Sequence, residues 1–131
     1  MLIDFENITE DLTTFERNEV IRHVVLGFKK KIENGQTGKQ HAVDSGRICE
    51  GVNRRVSGYT LTPVKLRKMI GAIRQLGLVE CLCSSSKGYY VADTMGEMRD
   101  TVESLSQRIR QIERVRDALN DQMIINQRKL R

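Results

Sequence analysis

Between Gly51 and Val79 the chain has no aspartate or glutamate, yet Arg54, Arg55, Lys65, Arg67, Lys68 and Arg74 all fall there. Lys87 follows shortly after, and Glu80 is the single acid before Asp93. The segments on either side carry mixed charge, so the net charge of +5 originates in the middle third. Charge runs are ordinarily solvated faces, but ordinary surfaces mix both signs. Cations spread over one face can neutralise phosphates. Arg and Gln can in addition form paired hydrogen bonds to guanine and adenine edges. That chemistry is binding rather than catalysis.

Other chemistry finds less support. His23 falls inside a helical pattern and His41 in a loop, with no nucleophile at a recognisable spacing. The glycines form neither a dinucleotide fingerprint nor a P-loop. Asp4, Glu6, Glu10 and Asp11 cluster near the N-terminus but lack the central glycine and spacing of a calcium loop. Cys81 and Cys83 would share one face of a strand, and a metal site there would need His23 or His41 to complete it. Four-ligand sites carry a more regular cysteine pair. Together with Cys49 these thiols read as small buried apolar residues in a reducing compartment. The expectation is no enzyme, no metal and no cofactor.

The elements that must position the cations follow from periodicity. Residues 1–13 show no clear period and read as an N-terminal arm, extended or looped. Thr13 and Glu16 are spaced for a capping box, and Val20, Ile21, Val24, Val25, Phe28 and Ile32 then recur at helical spacing up to Asn34-Gly35. Ala42-Val43 suggests a brief edge strand. A short second helix spans about Ser45 to Arg54, capped by Asp44 or Ser45, with Ile48, Val52 and Val56 as its apolar stripe. Thr62-Pro63 marks the start of a third helix and Gly77 its stop. Leu66, Met69, Ile70, Ile73 and Leu76 fill its inner face. Val64, Arg67, Lys68, Gly71 and Gln75 then face outward, flanked by Lys65 and Arg74, and Gly71 leaves room for close approach. The period next changes to two. Leu78–Cys83 and Tyr89–Ala92 predict a hairpin with a five-residue loop, Ser84–Gly88, and Lys87 at its tip. Tyr59, Tyr89 and Tyr90 are candidates for stacking on bases, although alternation sends Tyr89 and Tyr90 to opposite faces and packs at least one of them on the core.

Thr94 and Glu97 repeat the capping box and open a long helix. Met98, Val102, Leu105, Ile109, Ile112, Leu119 and Met123 alternate at spacings of three and four, interrupted at Arg116, with Val115 and Ala118 widening the stripe. As one helix, residues 94–123 would extend about 45 Å. A small domain does not cover that length, so the stripe calls for a partner, most simply a second copy of the chain.

The order helix, helix, turn, helix, hairpin is the winged helix-turn-helix plan, in which the third helix enters the major groove and the hairpin touches the backbone beside it. The stretch from Tyr59 to about Leu119 also resembles small winged-helix proteins of bacterial genomes, phages and integrated elements. The matching segments are LTPVKLRKMIGAIRQLGLV, CLCSSSKGYYVAD and MGEMRDTVESLSQRIRQIERV. The resemblance implies a winged-helix fold and DNA binding in phage replication or regulation. It places Arg67, Lys68 and Lys87 at exposed recognition-helix and wing positions and carries over no catalytic residue.

The expected fold class is therefore mainly α with a small β-hairpin: an arm (1–13), a winged-helix domain (14–92) and a coiled-coil-like dimerisation helix (93–131). The composition, 39% hydrophobic and 30% charged, fits a soluble domain with an aliphatic core. No apolar run reaches the roughly 20 residues of a membrane span. The acidic start MLIDFENITEDL lacks the order of a signal peptide, so a cytoplasmic location is expected. The expected partners are double-stranded DNA, met by Arg54, Arg55, Thr62, Lys65, Arg67, Lys68, Gly71, Arg74, Gln75 and Lys87, and a second copy of the chain. The alternative is a protein-interaction module, an adaptor or inhibitor, on the same scaffold.

Overall fold

The computed structural model describes residues 8–130. The described residues are mainly helical, with one two-stranded antiparallel hairpin and a long C-terminal helix. The chain divides into two compact units, one ending at Met98 and one beginning at Arg99. No helix of the described residues is long and apolar enough to cross a membrane.

Residues 1–7 of the expected arm, with Asp4 and Glu6, lie outside the described residues. The described remainder of that segment takes the looped form rather than the extended one. Thr9 and Leu12 are buried, and the Leu12 N–H donates to the Thr9 carbonyl at 2.9 Å. The capping box forms as expected: the Glu16 N–H donates to Thr13 Oγ1 at 3.1 Å and the Thr13 N–H to Glu16 Oε1 at 2.8 Å. A π-helical turn, Glu16–Val20, leads into α1 (Ile21–Glu33). Glu16, Val20, Val24 and Phe28 recur every four residues, and all are buried. A regular helix of about 3.6 residues per turn would carry such a line round its axis; the wider π turn at its start reduces that drift. Ile32, expected in the stripe, lies exposed one turn beyond it, and Val25 is only partly buried.

A 3₁₀ turn (Lys39–His41) leads to Val43, which exchanges both backbone hydrogen bonds with Tyr89 at 2.9 Å. Helix α2 (Ser45–Arg55) is capped by Asp44, whose carboxylate accepts from the Arg47 N–H at 3.0 Å. Its buried residues are Cys49 and Val52. Helix α3 (Pro63–Leu76) starts at Thr62, whose hydroxyl accepts from the Lys65 N–H at 3.4 Å. It stops at Gly77 in the left-handed region, φ 68°. Leu66, Met69, Ile70, Ala72 and Ile73 place their side chains in the core, together with Val24 and Phe28 of α1, Val52 of α2, and Leu82 and Val91 of the hairpin.

The hairpin departs from the expected register. β1 is Leu82–Ser85 and β2 is Gly88–Val91, joined by a two-residue loop, Ser86-Lys87, rather than five residues. The predicted start, Leu78–Cys81, is turn, and Cys81 sits at φ 60°. The reversal after Gly77 leaves no straight path into a strand until Leu82, whose carbonyl accepts from Arg74 Nε at 2.8 Å. Cys81 therefore lies exposed outside the strand while Cys83 is buried within it, so the two thiols do not share a strand face. Tyr90 is buried and Tyr89 packs partly on the core, as alternation required. At Gly88, φ 127°, an added Cβ would fall 2.1 Å from the Val43 carbonyl oxygen, so only glycine lets the two backbones meet there.

Helix α4 (Met95–Ile125) has 31 residues, and its capping box forms: the Glu97 N–H donates to Thr94 Oγ1 at 3.1 Å. The Glu97 carboxylate also accepts from the Asp93 N–H at 2.7 Å and the Lys39 N–H at 2.8 Å, which fastens the start of α4 to the 3₁₀ turn. These backbone donors hold Glu97 below the usual carboxylate range, led by Lys39.

Candidate functional site

The site begins with α3. Its caps fix where it starts and ends, and its apolar face at positions 66, 69, 70 and 73 fixes its rotation about its axis. Arg67 and Lys68 must then point away from the core, and both are exposed. Neither is ion-paired among the described residues. Gly71 continues the same face one turn on, and a Cβ there would meet no atom within 4 Å. Lys87 is exposed in the hairpin loop, and Arg54 is exposed in the last turn of α2.

Of the remaining members, Arg74, Lys65, Gln75 and Thr62 have partners within the protein, whereas Arg55 is exposed. Arg74, expected to flank the outward face, is partly buried and donates to the Leu82 carbonyl, tying α3 to β1. Lys65 lies 3.3 Å from Glu16 Oε2 and 5.2 Å from the centre of the Tyr59 ring. Arg55 lines a cleft between α1 and α2. Gln75 Nε2 donates to the Gly71 carbonyl at 3.2 Å, so its amide folds back on its own helix. Thr62 uses its hydroxyl as the cap. Of the set, Arg54, Arg55, Arg67, Lys68 and Lys87 are exposed and not ion-paired among the described residues, and Arg67 and Lys68 share the outward face of α3 with Gly71.

Two features that position α3 carried no distinctive sequence signal. The Asn53 side chain is matched to a single residue's backbone: its Oδ1 accepts from the Leu61 N–H at 2.7 Å and its Nδ2 donates to the Leu61 carbonyl at 3.2 Å. This pins the α2–α3 turn from inside. Glu16 is 3% exposed and serves both the cap of its own helix and the elements after α2, accepting a hydrogen bond from the Tyr59 hydroxyl. Burial alone would raise its carboxyl, but the Thr13 N–H, the Tyr59 hydroxyl and the Lys65 ammonium together hold it down at about 2. Burial and the neighbouring Glu16 carboxylate push the Tyr59 hydroxyl up. The capping box announced Glu16 as a local residue; nothing in the spacing announced its long-range partners.

The stripe on α4 divides. Met98 is partly buried, with its sulfur 3.5 Å from Cys83 Sγ, so it belongs to the packing under the hairpin. Val102, Leu105, Ile109, Ile112, Leu119 and Met123 are all exposed. Arg116, which interrupts them, forms a pair with Asp117 at 2.9 Å that raises its pKa further.

Among the described residues no group of three or more His, Cys, Asp or Glu side chains is placed to hold a metal. No protein-family model matches the chain, and neither a curated protein nor a solved structure is significantly similar to it.

Proposed function

We propose that this chain is a winged-helix protein that binds double-stranded DNA, with α3 as the groove-entering helix and the β1–β2 loop as the wing. The observation that carries the reading is the pair Arg67 and Lys68: adjacent, exposed and without a carboxylate partner among the described residues, on a helix that has no acid anywhere along it. Arg67 is suited to a base edge and Lys68 to a phosphate, with Gly71 allowing close approach. Lys87 and Arg54 add phosphate contacts. The element order supports the reading, as does the Val43–Tyr89 bridge, which adds a strand edge to the hairpin. The role is regulation of transcription or assistance in replication, and the protein acts without catalysis.

The functional form is a homodimer joined through α4. Val102, Leu105, Ile109, Ile112, Leu119 and Met123 occupy the a and d positions of a heptad, with Arg116 at one a position. In that frame Arg108 falls at g and Glu113 at the next e, an attractive pair across a parallel two-stranded coil.

A gel-shift series at two salt concentrations tests the assignment. If about six phosphates are neutralised, log K falls against log salt with a slope near −5. Failure to retard duplex DNA at either concentration rejects it and leaves the protein-interaction module.

A further inference from the structure

Helices α1 and α2 leave an open cleft of about 460 Å³ between them, on elements other than the outward face of α3. Small-molecule sites have volumes of about 300–1,000 Å³. The floor is Val24, Phe28 and Val52, and the walls include Val43, Ile48 and the half-exposed Leu26. Two of its lining residues are glycines, Gly27 and Gly51. Both lie inside helices, where glycine is unfavourable. Neither has a positive φ, and a Cβ on either would meet no atom within 4 Å. The backbone thus has no need of glycine at these positions; what glycine supplies is empty space.

The mouth is mainly cationic. Lys29, Lys30, Lys31, Arg47 and Arg55 line it against one carboxylate, Glu33; none of the five cations is ion-paired among the described residues, and Lys31 donates to the His41 carbonyl at 3.4 Å. An apolar floor is poorly matched to a nucleic acid, and a cationic rim is poorly matched to a neutral hydrocarbon. The combination matches an amphipathic anion, whose apolar body displaces water from the floor while its carboxylate or phosphate group meets the rim. We infer that the α1–α2 cleft is a binding site for a small amphipathic anion, with Arg47 and Arg55 holding the charged head and Gly27 and Gly51 making room for the apolar body.

The test is calorimetric titration of the full-length protein with dodecanoate and, as the charge control, dodecyltrimethylammonium, both below their micelle concentrations. Two variants accompany it: Gly51→Phe, which fills the cleft, and Arg47→Glu with Arg55→Glu, which reverses the rim. Arg47 gives only its backbone N–H to the Asp44 cap, so the cap survives. Circular dichroism checks that both variants fold. The expected result is saturable binding of dodecanoate, at least about tenfold weaker binding of the cation, and a loss of about tenfold or more in each folded variant. No saturable binding of dodecanoate, equal binding of anion and cation, or unchanged binding in folded Gly51→Phe would overturn the inference. Duplex binding is measured separately, and its loss or survival has no bearing on this site.

Discussion

Tyr59 gives its hydroxyl hydrogen to the Glu16 carboxylate, joining the π-helical turn before α1 to the segment that leads into α3. Lys65, in the first turn of α3, closes the set from the other side. A carboxylate this deeply buried is tolerable only because hydrogen-bond donors converge on it and a cation stands beside it. The set fixes where α3 begins relative to α1. In Glu16→Gln one of the two acceptor oxygens becomes an NH2 donor and the charge is lost, so the Thr13 N–H and the Tyr59 hydroxyl are no longer both accepted and Lys65 loses its ion pair. Glu16→Gln is therefore expected to cost about 3 kcal/mol and Tyr59→Phe about 1 kcal/mol in urea unfolding. The double variant should lose less than the sum, since both changes weaken the same hydrogen-bonded set.

The same carboxyl makes stability depend on pH. Its folded pKa, about 2, lies below the ordinary value of 4.5. The unfolded chain therefore binds more protons in the window between them. Glu16 contributes its full stability above about pH 4.5 and loses it as pH falls toward 2, by roughly 3 kcal/mol in all. Unfolding free energies across this window should fall more steeply for the native chain than for Glu16→Gln. Parallel curves would show that Glu16 is not the group responsible.

Two glycines should respond in opposite directions. Gly88→Ala drives a methyl into the Val43 carbonyl at a positive φ and should destabilise by about 2 kcal/mol or more. Gly71→Ala adds a methyl in open space within a helix and should stabilise by about 0.5–1 kcal/mol. Thermal unfolding of the two variants checks both signs.

The helices were legible where a local rule fixed them. Thr13-x-x-Glu16, Asp44, Thr62-Pro63, Gly77 and Thr94-x-x-Glu97 each act within one turn, and each does so in the structure. The hairpin was legible in kind but not in register. Ser84 and Ser85 have turn chemistry by composition, but cross-strand pairing with Tyr89 and Gly88 draws them into β1. The outward face of α3 was legible at Arg67 and Lys68, because a helical wheel gives direction. It misassigned Arg74, because a long side chain at the edge of the face can fold onto a neighbouring strand that the wheel does not contain. Asn53 and the Tyr59 and Lys65 partners of Glu16 were hidden for a related reason: no one-turn rule reaches them, and polar residues facing inward break the pattern used to find the core.

The apolar stripe of α4 gives a prediction of its own. If two copies pair through it, Ile109→Asp puts a charge in the middle of the seam and the dimer should dissociate. Sedimentation equilibrium of the full-length chain should give twice the chain mass, and Ile109→Asp the single chain mass. A native chain that sediments as a monomer would remove the coiled-coil reading and leave α3 untouched.

The most direct measurement is duplex-DNA affinity of Arg67→Glu with Lys68→Glu, compared with the native chain at one salt concentration. Both side chains are exposed and without an ion-pair partner among the described residues, so the unfolding free energy should stay within about 0.5 kcal/mol of native. Binding by the folded variant should be abolished, because two cations at the groove have become two anions facing phosphate. A folded variant that retains native affinity would contradict the account.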